Sequence, residues 1–220
     1  LIIMGIKERE EALSNINNPE DLGIPIVLLN YSDDFKKFPS VSFSNESNGY
    51  DFAIHIISLG HREIGTIDSS PDILAVKNRM KGVKKALDES GIDFIPEWHY
   101  AFASIDAGKA GRQGAEQFLR LKKRPSVMIT SADDIAISFI STVTAAGLKV
   151  PKDVSVVGVD NNPISNYIHP PLTTEKVEGY RRGTLAFKMV KALLDGEDLK
   201  EKHVYIRSVI IERESLKSMK

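Results

Sequence analysis

Short apolar runs rich in β-branched residues alternate with longer amphipathic segments along almost the whole chain. That order admits few architectures, chief among them βα units wound into parallel sheets. The candidate strands are Leu1–Met4, Ile24–Leu29, Glu63–Ile67, Ser126–Thr130 and Val154–Val159. Each is short and nearly all apolar, as a strand covered on both faces requires. Between them, Ile73, Val76, Met80, Val83 and Leu87 recur at spacings of three and four, which gathers them on one helical face, and Gly91 can end that helix in a left-handed conformation. The same pattern predicts helices near 46–59 (Tyr50, Ala53, Ile57), 110–120, 133–146 (Ile135, Phe139, Val143) and 177–195 (Val177, Tyr180, Phe187). No internal repeat or long polar linker interrupts the alternation. The fold class is therefore α/β, with any second lobe joined by close crossovers rather than a flexible tether.

At 220 residues, 42% of them apolar, the chain can bury a substantial core. Twenty-nine basic against thirty acidic side chains leave a net charge of −1, so nothing in the total suggests a surface that neutralises phosphates, and DNA contact must come from elsewhere. The absence of cysteine excludes disulfides and thiolate chemistry. No apolar run approaches the roughly 20 residues that span a bilayer. The chain opens on Leu1 without an initiator methionine, as a segment cut from something longer would.

Catalytic signatures are missing: there is no G-x-S-x-G elbow, phosphate loop, dinucleotide fingerprint or H-E-x-x-H pair, which disfavours an enzyme. The five histidines lie without ligand spacing and read as surface or turn residues, so no metal or cofactor is expected. Polar residues instead gather at the carboxyl ends of apolar strands, where open α/β sheets bind ligands. Asp160 directly follows one strand, and Ser131-Ala132-Asp133 follow another. Asp160 can equally cap a turn with Asn161 and Asn162. Asp133 and Asp134 suit a helix start, where acidic side chains favour the helix dipole. Arg79 can reach a cleft or extend into solvent, and Phe102, after a predicted strand, can stack on a ligand or simply pack.

Taken in order, several segments resemble the LacI/GalR family of bacterial transcription regulators: Gly23-Ile-Pro-Ile-Val-Leu-Leu29, Ile57-Ser-Leu-Gly-His-Arg62, Arg79-Met-Lys-Gly-Val83, Val150-Pro-Lys-Asp-Val-Ser-Val-Val-Gly-Val-Asp160, His169-Pro-Pro-Leu-Thr-Thr174 and Ile211-Glu-Arg-Glu-Ser215. The resemblance implies two doubly wound, parallel-sheet lobes of the periplasmic-binding-protein type. It places 1–61 with 177–206 in the first lobe and 62–176 with 207–220 in the second. It implies a small-molecule effector, a sugar, sugar phosphate or nucleoside, held between the lobes and shifting a DNA-binding equilibrium. A homodimer, operator DNA as partner through a helix-turn-helix headpiece, cytoplasmic location and no membrane partner follow from the same likeness. The first lobe is expected to be incomplete, because family members carry two further βα units, about 60 residues, ahead of Leu1–Met4. On that expectation residues 1–220 alone bind effector poorly and operator not at all. A periplasmic sugar-binding protein of a transport system shares the fold and is the competing expectation.

Carried over position by position, the resemblance makes Arg79 the arginine that holds ligand hydroxyls or a carboxylate, and Asp160 the carboxylate that accepts from neighbouring hydroxyls. Phe102 falls where many members place a stacking aromatic, although the stretch Ala103–Arg112 after it is longer than usual. Asp133 matches the aspartate of an A-N-D segment in which Ala132 here replaces asparagine, and Asn45 or Ser47 could reach the pocket from the other lobe.

Overall fold

The computed structural model describes residues 1–4, 23–29, 35–69, 72–103 and 106–220. In chain order its elements are β1 (Ile2–Met4), β2 (Val27–Leu29), β3 (Ser40–Phe43), α1 (Asn45–Ser58), β4 (Ile64–Ser69), α2 (Leu74–Glu89), β5 (His99–Phe102), α3 (Ala107–Arg120) and β6 (Val127–Thr130). There follow α4 (Asp133–Ala145), β7 (Ser155–Val159), β8 (Thr173–Lys176), α5 (Gly179–Leu194), β9 (His203–Ile206) and β10 (Val209–Ile211). They form two compact units, one of Leu1–Ser44 with Glu178–Arg207 and the other of Asn45–Val177 with Ser208–Lys220.

The smaller unit has a four-stranded sheet in the order β1-β2-β3-β9, parallel throughout. The side-chain period of two sends Leu28 to one face, with Ile26, Phe35 and Phe38, and Val27 to the other, with Val41, Ala186, Met189 and Ile206. Helix α5 covers that second face through Ala186 and Met189. Tyr180 and Phe187, expected on its inner face, are instead 91% and 63% exposed.

The larger unit has a six-stranded sheet in the order β10-β8-β7-β6-β4-β5, parallel except for β10, which runs antiparallel at one edge. Alternation along β6 turns Val127 and Ile129 toward α1 and α2 and Met128 toward α3 and α4. Phe52, Ile56, Val83 and Leu87 fill the first side, while Phe118 and Phe139 meet edge to face at 5.3 Å on the second. The first boundary therefore falls at Ser44 rather than at 61: α1 belongs to the larger unit because it packs on α2 at backbone range. A Cβ on Gly49 would stand 2.2 Å from the Arg79 carbonyl oxygen, and one on Gly82 1.9 Å from that of Glu46. Only glycine permits this approach, which brings the start of α1 alongside Arg79.

The motif-bearing segments are tied together physically. Ser215 Oγ donates to the Val156 carbonyl at 2.6 Å and accepts from Thr173 N at 2.8 Å, and Arg213 Nη1 donates to Leu172 O at 2.6 Å. His61, read as a surface or turn histidine, is fully buried, with Nδ1 2.8 Å from Ser126 Oγ and Nε2 3.0 Å from Lys217 O. Burial lowers its pKa below the ordinary imidazole value, ahead of the opposing hydrogen bond to Lys217 O.

Candidate functional site

Parallel strands β4, β6, β7 and β8 lie side by side in the larger unit, so their carboxyl ends form one edge, the position at which such sheets receive ligands. Asp68 stands near the end of β4, Ser131 follows β6, Asp160 follows β7, and Glu175 lies in β8. Arg79 reaches the same edge from α2. It is only 9% exposed, so of its two expected fates, cleft or solvent, the structure selects burial. Its Nε lies 3.4 Å from Glu175 Oε2, and its Nη2 donates to Asn45 Oδ1 at 3.4 Å. Glu175 is 1% exposed and its other oxygen accepts from Ser208 Oγ.

Asp160 has a φ of +115° and Asn161 of +56°, conformations that L-residues other than asparagine and aspartate rarely adopt. The strained turn is held from three sides: Asp160 N donates to Glu175 O at 2.9 Å, Asn161 N to Thr174 Oγ1 at 3.3 Å, and Arg213 Nη2 to Asn161 Oδ1 at 2.6 Å. Strain of this kind persists where surroundings over-determine it, and its effect is to present the Asp160 side chain to solvent at the sheet edge. Desolvation, then repulsion from Asp133, pushes the Asp160 carboxyl up to about 6 against the pull of Arg79.

Asp133 behaves differently from its expected ligand-facing role. It is fully buried at the start of α4, and its carboxylate accepts from Thr174 Oγ1 at 2.5 Å, Ser165 Oγ at 2.7 Å and Asn162 N at 2.7 Å. It holds the floor of the site together. Gly158 of β7 makes room for it, since a Cβ there would meet Asp133 Oδ1 at 2.3 Å. Ala132, at the cap position of α4, makes no side-chain cap bond, and Asp133 and Asp134 occupy the first turn.

Asn45 and Ser47, expected from the other lobe, belong to the first turn of α1 and hence to the same unit as Arg79. Phe102 is the last residue of β5 rather than part of a loop. It is half-buried against the α3/α4 core, 6.5 Å from the Tyr100 ring. Residues 104–105, in the stretch after it, lie outside the described residues.

Two members of the site carried no expectation, Glu175 and Asp68. Asp68 ends an apolar strand as a carboxylate, the signal that singled out Asp160, and it borders a cavity of about 10 Å³ with Arg79, Thr66 and Ser131, room for one water. Burial pushes its carboxyl up to about 6, opposed by the Arg79 charge and a hydrogen bond with Ser131. A folded-state pKa above the ordinary 3.8 means that Asp68 favours the fold when protonated, and that this contribution is lost as pH rises through about 6. Asp68→Asn should thus stabilise the protein by about 1–3 kcal/mol at pH 8, a gain that fades as pH falls through 6 and vanishes below about 4. Denaturant melts at pH 8, 6 and 4 check this; a variant less stable than the parent at pH 8 contradicts it.

A model of the periplasmic binding protein-like domain family matches residues 53–216. The HTH-type transcriptional regulator RegA of Clostridium saccharobutylicum is 34% identical over 216 residues, covering 98% of this chain and 64% of its own length. The HTH-type transcriptional repressor PurR of Aliivibrio salmonicida is 30% identical over 203 residues, covering 92% of this chain and 58% of its own length. Among solved structures, the transcription regulator CcpA of Lactococcus lactis superposes with a TM-score of 0.81 at 25% identity, over 98% of this chain and 77% of that one. The chain belongs to the periplasmic binding protein-like domain family and is similar to these regulators along nearly all of its length. It spans about three fifths of the length of these two curated relatives, which are regulators rather than enzymes. Among the described residues no helix is long and apolar enough to cross a membrane.

Proposed function

We propose that this chain is the effector-sensing part of a cytoplasmic transcription regulator, a repressor, that binds a small hydroxyl-rich molecule of the sugar class at the sheet edge of its larger unit. The observation that carries the reading is the convergence of Arg79, Asn45 and Glu175 with Asp160, which the strained turn delivers to the same edge. Planar donors and carboxylate acceptors of this kind suit the paired donor and acceptor character of vicinal hydroxyls. The arrangement holds no nucleophile with an activating base, so binding rather than chemistry is the use it supports. Operator DNA is a partner of the whole regulator, through the headpiece that the resemblance implies ahead of residue 1, and the working state is a homodimer. The regulator names of the relatives favour this over a transport binding protein.

Calorimetric titration of the full-length protein with neutral monosaccharides, disaccharides and nucleosides tests the reading. A binder at 100 times its Kd should raise folding stability by about 2.7 kcal/mol, and Asp160→Asn should weaken it at least about tenfold, equivalent to about 1.4 kcal/mol. A ligand whose affinity is indifferent to Asp160→Asn and to Arg79→Lys would place the site elsewhere.

A further inference from the structure

The sequence of charges at the sheet edge does not balance, and the imbalance has a chemical direction. It bears on the effector site proposed above and rests on that reading. Asp133 is close enough to Arg213 for the guanidinium to lower its pKa, and its oxygens are occupied by three hydrogen bonds. Glu175 faces Arg79 at 3.4 Å. Asp134, exposed at the start of α4, accepts from Asn162 Nδ2, and Asp160 and Asp68 then remain over, each drawn to Arg79. Among the described residues the only other cation that Asp68 senses is Lys84, the weakest of its influences, whose ammonium lies 4.5 Å above the Phe94 ring. The strands beside Asp68 offer it Ala101 on β5 and Thr130 with Ser131 at the end of β6, none of them charged.

An independent observation points to a ligand at this place. The Glu175 side chain is 1% exposed and that of Arg79 11%, yet Arg79 Nε and Glu175 Oε2, both buried atoms, make no hydrogen bond. They approach as charges without the alignment of donor and acceptor, and Arg79 lines the small cavity that Asp68 and Ser131 also border. Buried polar atoms of this kind are ordinarily satisfied, and a ligand hydroxyl can serve both.

We propose that Asp68 is a specificity-determining residue of this site: its carboxylate, left over once Glu175 has matched Arg79, selects an effector that carries a protonated amine beside its hydroxyls and turns away a phosphorylated one. An ammonium placed against Asp68 makes a charge-assisted hydrogen bond, about twice as strong as a neutral one. A phosphate in the same position meets two uncompensated carboxylates, a repulsive element that discriminates as effectively as an attractive one.

The test is calorimetric titration of the full-length protein with two matched trios: glucosamine, glucose and glucose 6-phosphate, and galactosamine, galactose and galactose 6-phosphate. In at least one trio the amino sugar should bind ten times or more tighter than the neutral sugar, and neither phosphate should bind detectably. Asp68→Asn should cut that preference below threefold, a change in the ratio of the two affinities that a purely structural role would not produce. Should the variant fail to fold, the preference of the parent protein still decides. Neutral sugar binding without an amine preference, tighter binding of a phosphate, or a preference that survives Asp68→Asn overturns this inference and leaves the sugar-binding reading intact; failure of all six sugars overturns both.

Discussion

Arg79→Met should lower folding stability by about 3–5 kcal/mol, the cost of leaving one member of a buried ion pair without its partner. The reasoning turns on Glu175 rather than on Arg79 itself. Glu175 is 1% exposed and its Oε2 has Arg79 as its facing cation, so methionine fills the volume but leaves a carboxylate desolvated and unopposed. Asp68 adds to the effect, because the Arg79 charge opposes the burial of its carboxyl. Without it Asp68 titrates above the present value of about 6. The penalty is accordingly larger at pH 8, where Asp68 must ionise, than at pH 5, where it can keep its proton. Arg79→Met combined with Glu175→Gln should recover more than half of the loss, since removing both charges of a buried pair is often nearly neutral. Urea melts of the two variants at both pH values provide the measurement. A single variant within 1 kcal/mol of the parent at pH 8, or a double variant no better than the single, would show that the pair is not the internal charge balance described above.

How far this arrangement was legible in sequence depends on which physical signal each residue carried. Strands β1, β2, β4, β6 and β7 are short apolar runs and announced themselves, as did the helices with apolar residues at spacings of three and four. β8 did not, because its buried residues are Thr173, Thr174 and Glu175, polar side chains that are inside only because Ser215, Asp133, Arg213 and Ser208 bond to them from distant segments. β3, with the sequence Ser-Val-Ser-Phe, and the edge strands β9 and β10 were too short or too mixed to separate from loop. In α5, Tyr180 and Phe187 carried the apolar signal while the smaller Ala186 faces the sheet, so periodicity alone misassigned its inner face. Arg79 was found only through the resemblance: its burial depends on Gly49 and Gly82 admitting α1 against α2, a pairing between helices that no periodicity within one of them reveals. The same contact explains why Asn45 and Ser47 belong to the larger unit. Glu175 immediately follows the Pro-Pro-Leu-Thr-Thr segment and Asp68 ends a strand as Asp160 does, so both lay beside recognised signals.

The second large effect is expected at Asp133. Asp133→Ala should cost about 3–5 kcal/mol, because it strips the acceptor from three donors at once, and each buried donor left unpaired costs about 1–3 kcal/mol before relaxation. Thr174 and Ser165 are fully buried, so water cannot replace the lost partner without opening the structure, and the Asn162 amide belongs to the turn that follows the strained Asp160 and Asn161. The damage therefore reaches the binding edge, and effector affinity should fall together with stability. Asp133→Asn separates the two contributions. Its amide oxygen can keep the Ser165 and Asn162 bonds while its nitrogen donates to Thr174 Oγ1, so the expected loss is about 1–2 kcal/mol. The pH dependence follows from burial, the main influence raising the Asp133 carboxyl above its ordinary 3.8. A raised carboxyl supports the fold while protonated and loses that support as pH climbs through its folded value, so the parent's advantage over Asp133→Asn is greatest at acid pH and narrows above it. Melts of both variants at pH 4 and pH 8, with effector titration at pH 8, carry the test. An alanine variant of near-parental stability would mean that Thr174, Ser165 and Asn162 find other partners, and that Asp133 is available to the ligand after all.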